Sequence, residues 1–379
     1  MNPVFEERID GPATHAIVIG VGAYTHLVGG KGDLFQGHEN MGQLSSPPYS
    51  ARAFANWLLK KYRNPKKPLA SLDLLLSDTQ GNEFTLPDGE VKQVENANMA
   101  NVKRNVRRWK ARGDQSRDNL VIFYFCGHGI AAGTEIALLL KDFGEYEDAP
   151  LENAIDFRGF HLGMKKCTAR EQIYFVDACR MASPTLIESY NYSGDPIIHG
   201  SAHKSPFGNC QTPIYYATLA GNAAYGRDGV PTLFTEALLL AMEGAGSDNV
   251  EGDWRVYTDM LNRGIGYTLE MVKGDAVKLD QISPVDDLTN FTLHYLDKKP
   301  IVPVKIGCNP KEANLFAKLS YSDGSKDVVR PHMEESNWDE IIEVGNYKFS
   351  AEFQGGPFRD KHEQRYVRPP FRPIKLEVK

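Results

Sequence analysis

Two short stretches carry the residue types from which covalent chemistry is built. In NLVIFYFCGHGI, Asn119 to Ile130, an apolar run from Leu120 to Phe125 gives way to Cys126, Gly127, His128 and Gly129. In EQIYFVDACRMA, the run Ile173 to Val176 gives way to Asp177, Ala178, Cys179 and Arg180. Each run has the pattern of a strand buried on both faces of a parallel sheet, which puts His128 and Cys179 just beyond the carboxyl ends of two strands. In open α/β sheets crevices form at that edge, and adjacent strands are only about 4.8 Å apart. Two residues 51 apart in sequence are then able to face one substrate. Glycines flanking His128 remove Cβ bulk, so the imidazole stands clear and a neighbouring N–H is able to approach a ligand. A thiol attacks a carbonyl effectively only as the thiolate, and a nearby imidazole takes the proton. The oxyanion that forms needs main-chain donors, and the N–H groups of Gly129 and Cys179 are the natural pair. Cys126 is a second thiol near His128, but it continues the strand and reads as core packing.

These stretches resemble the caspase-like cysteine peptidases, which include the metacaspases and their prokaryotic relatives. In caspases a histidine precedes, by about 50 residues, a signature of Gln-Ala-Cys followed by Arg, Gln or Gly. Here Ala178-Cys179-Arg180 is kept, while Asp177 replaces the glutamine and Met181 the glycine; Asp-x-Cys is closer to the metacaspase form. The resemblance spans about residues 14 to 296. It implies an endopeptidase with Cys179 as nucleophile, His128 as base and general acid, and Gly129 and Cys179 N–H as oxyanion donors. Relatives are often made as precursors cut between the cysteine strand and the next one. Residues 183–213, polar and containing Gly and Pro, are the corresponding segment, which reads either as an uncut surface loop or as a maturation site, with Lys204-Ser205 the expected self-cleavage point because Asp195 precedes Pro196. Some prokaryotic relatives act in antiviral defence cascades. The alternative reading is a catalytically silent, caspase-like partner-binding module; the presence of both Cys179 and His128 argues against it.

The resemblance also sets an expectation for specificity. Animal caspases read aspartate with arginines, one of them from the loop ahead of the first large helix. In GQLSSPPYSARAF, Leu44 to Tyr49 contains no arginine and Arg52 falls inside the helix. Asp177 coincides with the metacaspase position whose carboxylate binds a basic side chain, so cleavage after Arg or Lys is expected. Metacaspases place a second acid at the position of Ser50; Asp33 or Glu39 from the glycine-rich loop is expected to replace it. Ala224 and Tyr225, in NAAYG, are expected at the substrate, and Arg227 is the residue that would restore an acidic preference. No cofactor is expected. Ca²⁺, which some metacaspases require, would have to use Asp142, Glu145, Glu147 and Asp148, but their spacing fits no calcium loop and they read as an exposed polar turn.

Composition narrows the classes. The 379 residues, 41% hydrophobic, are enough for a large core, and a net charge of −6 argues against a dedicated nucleic-acid binder. Lys103, Arg104, Arg107, Arg108, Lys110 and Arg112 are interleaved with Val102, Val106 and Trp109 at core spacing, which makes them the solvated face of a helix. Protein substrates, and an upstream activating protease or regulator, are the expected partners. The amino terminus shows no signal peptide and no run reaches membrane-spanning length, so a cytoplasmic location is expected, with the five scattered cysteines as reduced thiols.

The elements that must position His128 and Cys179 follow from periodicity. Ala16 to Ile19 reads as a strand, and a long loop, about 24–48, follows it. Phe54, Trp57, Leu58 and Tyr62 mark a helix, Leu72 to Leu76 a strand, and Met99, Val102, Val106 and Trp109 a second helix. This βαβαβ order predicts an α/β caspase-like fold: a mainly parallel sheet flanked by helices. Ile214 to Thr218 is a further strand, VPTLFTEALLLAMEG and Trp254 to Val272 are helices, and Phe291 to Tyr295 is a closing strand. Val18 to Tyr24, VIGVGAY, lacks the third glycine of a dinucleotide site and reads as a strand-end turn. Beyond Lys298, short alternating segments between Gly, Pro, Asn and Asp turns predict a small all-β sandwich. The expected organisation is a peptidase domain, 1–298, with 183–213 as internal linker, and a β-sandwich-like domain, 299–379, that positions a substrate, activator or subunit.

Overall fold

A computed structural model describes residues 3–132, 135–179, 194–200, 210–218, 228–273 and 284–379. Two compact units emerge, Met1–Glu236 with Asp280–Phe291, and Ala237–Leu279 with Thr292–Lys379. The boundary expected after Lys298 falls inside the second.

The first unit is organised by one seven-stranded sheet. Its members are β1 (Phe5–Glu6), β2 (Thr14–Val21), β3 (Leu69–Ser77), β6 (Leu120–Gly127), β10 (Glu171–Ala178), β11 (Ile214–Tyr216) and β14 (Val285–Asp286), in the order β1-β3-β2-β6-β10-β11-β14. The five inner strands are parallel, and β1 and β14 close the edges antiparallel. Every residue of β2 and β6 is buried, as an apolar run covered on both faces requires. A small hairpin, β4 (Glu83–Thr85) and β5 (Val91–Gln93), follows β3. A second small sheet, β7 (Gly129–Ala132), β8 (Glu135–Leu139) and β9 (Ala154–Asp156), follows β6.

Alternation along β6 sends side chains to two different layers. Tyr124 stacks on Phe54 of helix α1 (Ser46–Lys60), the ring centroids 4.5 Å apart. Phe123 and Phe125 face the other way, into a core with Val102, Val106 and Trp109 of α2 (Met99–Gly113) and Phe157 and Phe160 of α3 (Phe157–Met164). Helix α2 begins at Asn98, whose side chain accepts from Asn101 N–H, the usual amino-terminal cap. Its basic face is held by acids: Lys103 pairs with Asp195, Arg104 with Glu95, Lys110 with Asp114 and Arg112 with Asp73. The described part of the 183–213 segment is packed rather than loose. Asp195 exchanges main-chain hydrogen bonds with Ala154 and Asp156, and Ile197 is buried.

The second unit differs from the periodic reading in one respect. Trp254 to Val272 does not form a single helix: Asp253–Tyr257 is strand β13, paired with β12 (Ser247–Val250), and only Thr258–Lys273 is helix α5. Glu251 and Gly252 both have positive φ, 56° and 94°, the two-residue hairpin turn that commits Trp254 to a strand. Strand β15 (Thr292–Tyr295) then pairs with β13 rather than joining the large sheet. Beyond it lie a three-stranded sheet, with β19 (Trp338–Glu343), β16 (Ile301–Asn309) and β22 (Arg372–Glu377), and a four-stranded one, with β18 (Asp327–Val329), β17 (Ala317–Ser322), β20 (Gly345–Phe353) and β21 (Lys361–Val367). Both sheets contribute to one core, from Val302, Val304 and Ile306 to Leu319, Phe349 and Ala351, against which Trp254 also packs. Among the described residues no helix is long and apolar enough to cross a membrane.

Candidate active site

The spacing of 51 is the register of the sheet. Along β6 and β10 each residue pairs with the one 51 positions later, up to Cys126 with Asp177 and Gly127 with Ala178. His128 and Cys179 come next after the two strands, so they leave adjacent strands, about 4.8 Å apart, at the same level. Close approach at this point requires glycine: a Cβ on Gly129 would lie 2.5 Å from the Cys179 carbonyl oxygen. Gly129 is opposite Leu138, while Leu139 N–H donates to the His128 carbonyl at 3.0 Å. That is the pattern of a non-hydrogen-bonded pair, in which the Gly129 N–H points away from β8.

The imidazole is oriented at three points by the loop between β2 and α1. Its Nε2 donates to the Gly42 carbonyl at 2.8 Å. Because a carbonyl only accepts, the neutral ring carries its proton on Nε2 and presents a lone pair at Nδ1. The His128 main-chain N–H donates to the Tyr24 hydroxyl at 2.7 Å, and the two rings lie 4.8 Å apart at 44°. Burial holds the imidazole pKa below its usual 6.5, so the ring is neutral at neutral pH and free to accept a proton. Gln43 ties the loop together: its side-chain oxygen accepts from Tyr24 N–H, and its amide nitrogen donates to the carbonyls of Tyr24 and Val28.

The other sequence candidates separate. Cys179 is partly buried beside Ala178. Cys126 is 1% exposed, and burial, with the Asp177 carboxyl next, pushes its thiol well above the usual range, which suits packing and not attack. Asp177 is buried too. Its Oδ2 accepts from the Thr232 hydroxyl and from Thr235 Oγ1 at 2.6 Å, and Tyr124 donates to Thr235 at 2.5 Å. Its Oδ1 has no full hydrogen bond, the weakly donating Cys126 thiol being the polar group beside the carboxyl. Burial raises the Asp177 pKa above the ordinary carboxylate value. Ser50 joins this group from α1, its hydroxyl accepting from Thr232 N–H at 3.0 Å. Thr232 also caps α4 (Leu233–Leu240) by accepting from Thr235 N–H.

Asp33 and Glu39 are exposed on the loop, and among the described residues no hydrogen bond or ion pair joins either to Asp177. Lys204, Ala224, Tyr225 and Arg227 lie outside the described residues. The acidic turn is structural in use. The Asp142 carboxylate accepts from Met99 N–H at the start of α2, Glu145 from the Asn153 side chain, and Glu147 from Gln36 N–H. No group of three metal-binding side chains occurs among the described residues. Periodicity missed Tyr24, Gly42, Thr232 and Thr235. Only Thr232, a threonine just ahead of an apolar helical run, carried a signal of its own.

The chain is 31% identical over 273 residues to y4kE, an uncharacterized protein of Sinorhizobium fredii, an alignment covering 69% of this chain and 76% of that protein. Caspase-1 from Spodoptera frugiperda matches in structure at 10% identity with a TM-score of 0.43, covering 76% of this chain and 95% of that one. Residues 13–265 match the Peptidase C14 family, the caspase domain. That match takes in the whole parallel core, the His128 turn and Cys179, and the chain therefore belongs to the caspase-domain family of cysteine peptidases.

Proposed function

We propose that the chain is a cysteine endopeptidase that hydrolyses protein substrates after Arg or Lys, using Cys179 and His128. The observation that carries this reading is the contact of His128 Nε2 with the Gly42 carbonyl. With its proton fixed on Nε2 by Gly42, His128 offers Nδ1 as base, and the register sets Cys179 at its level on the next strand. Nδ1 takes the thiol proton, and the thiolate sulfur attacks the scissile carbonyl carbon. The negative charge moves to the carbonyl oxygen, for which the Gly129 and Cys179 N–H groups are donors. Collapse breaks the C–N bond as His128 returns its proton to the leaving amine. Water, deprotonated by the same Nδ1, then hydrolyses the thioester and restores Cys179.

Basic specificity is supported by Asp177. A carboxylate with one oxygen held by two threonines and the other without a full hydrogen bond has acceptor capacity left for a guanidinium or ammonium. An incoming aspartate would meet like charge. A protease serving a regulated, defence-type cascade fits this chemistry.

Cys179→Ala and His128→Ala are expected to abolish cleavage of Arg and Lys reporters, with far-UV circular dichroism unchanged. Labelling of wild type, but not of Cys179→Ala, by a basic-peptide electrophile tests the nucleophile without turnover. Wild-type cleavage rates in Cys179→Ala, or cleavage after Asp alone, would end the respective parts of the reading.

A further inference from the structure

Tyr24 stands 104 residues before His128, yet two contacts join them. Its hydroxyl accepts the main-chain N–H of His128 at 2.7 Å, and its ring lies 4.8 Å from the imidazole. The fit around the hydroxyl is tight, since a Cβ on Gly127 would lie 2.9 Å from its oxygen. The phenol is buried, and burial keeps it protonated far above neutral pH. At His128 the β6–β10 ladder has ended, so this N–H has no strand partner there and Tyr24 supplies the acceptor. The imidazole's other anchor, the Gly42 carbonyl, lies on the same loop, and Gln43 ties the residue after Gly42 to both main-chain polar groups of Tyr24. One anchor fixes the backbone of the turn and the other fixes the ring, and they are clamped to each other.

We propose that Tyr24 is a positioning residue for the peptidase reaction. It sets the backbone of the Gly127-His128-Gly129 turn, and with it the aim of His128 Nδ1 and of the Gly129 N–H. The proposal rests on the reading of His128 as the base. It assigns a role to a side chain that touches neither the scissile bond nor the specificity carboxylate.

Tyr24→Phe keeps the ring and removes only the acceptor. Because small misplacements of a reacting group cost up to about 100-fold in rate, kcat is expected to fall roughly 30-fold with KM within about twofold. The second readout needs no turnover. ¹⁵N shifts of the His128 imidazole at pH 7.5 are expected to report the Nε2–H tautomer in wild type and a tautomer mixture in Tyr24→Phe. Gly127→Ala, which pushes a methyl toward the hydroxyl, is expected to give the same signature. Its further effect should shrink in the Tyr24→Phe background, where the clashing oxygen is gone. If Tyr24→Phe does not fold, Gln43→Ala, which unties the clamp, carries both measurements. A Tyr24→Phe protein with wild-type kcat and an unchanged tautomer, altered only in melting temperature, would overturn the proposal. A tautomer change in a chain whose wild type cleaves no peptide would keep the clamp and remove the peptidase reading instead.

Discussion

Asp177→Asn separates what the buried carboxyl does for stability from what it does for a substrate. In the fold this group accepts two good hydrogen bonds, from Thr232 and Thr235, and Tyr124 reinforces the second through Thr235. Replacing charge-assisted bonds by neutral ones costs about 1 kcal/mol each, so about 2 kcal/mol in all. Removing a charge from a fully buried site returns several kcal/mol. The amide is therefore predicted to leave the protein at pH 7.5 as stable as wild type or somewhat more stable. The sign of the pH dependence follows from the raised pKa. The folded state binds the Asp177 proton more tightly than the unfolded chain, so wild type loses stability as pH rises from the unfolded carboxylate value through the folded one. Asparagine does not titrate. The stability difference, variant minus wild type, is expected to grow in the variant's favour as pH rises above the unfolded carboxylate value, measured by urea unfolding at each pH. Activity on Arg and Lys reporters should fall at least 100-fold in the same variant, since the amide offers no charge to a cation. A difference that moves against the variant as pH rises would show that the folded protein prefers the carboxylate, and would refute the reasoning.

Two further outcomes concern Phe54 and His128. Phe54→Ala removes the ring stacked on Tyr124 from a site 1% exposed and is expected to destabilise by about 3–5 kcal/mol in urea unfolding, without changing peptide specificity. Because burial lowers the His128 pKa and the base must be neutral, kcat against pH, read at saturating substrate so that Asp177 is already paired, should hold its plateau to below pH 6.5 and drop only as pH falls through the lowered value; an acid limb at or above 6.5 would contradict that.

What the sequence disclosed and what it hid divide along the range of the interactions. Leu120 to Phe125 and Ile173 to Val176 announce buried parallel strands because every position is apolar, and that alone brings His128 and Cys179 to one edge. Trp254 misled because Trp254, Tyr257 and Leu261 also fit a helical face. The turn at Glu251 and Gly252 decides otherwise, through two positive φ angles and the pairing of β12 with β13. Gly42 and Tyr24 were hidden for a different reason. Their contacts with His128 bridge 86 and 104 residues and use main-chain groups, which every residue possesses. Ser50 and Asp177 were placed in one functional group by resemblance; their common partner, Thr232, is visible only in the fold.

The discontinuous make-up of the second unit bears on how the protein behaves when nicked. Its chain is interrupted by Asp280–Phe291, which returns to the first unit, where β14 pairs with β11. A single cut at the join between Glu236 and Ala237 yields an amino-terminal fragment and a carboxyl-terminal one that still carries β14. The pairing of β11 with β14 joins those fragments, and they are expected to co-elute until denaturant is added. Stopping the chain at Asp297 is a harsher lesion, because it strips from Trp254 the core against which it packs. The all-β tail shares its compact unit with Ala237–Leu279, so swapping it between relatives is expected to call for exchange points on both sides of the returning strand.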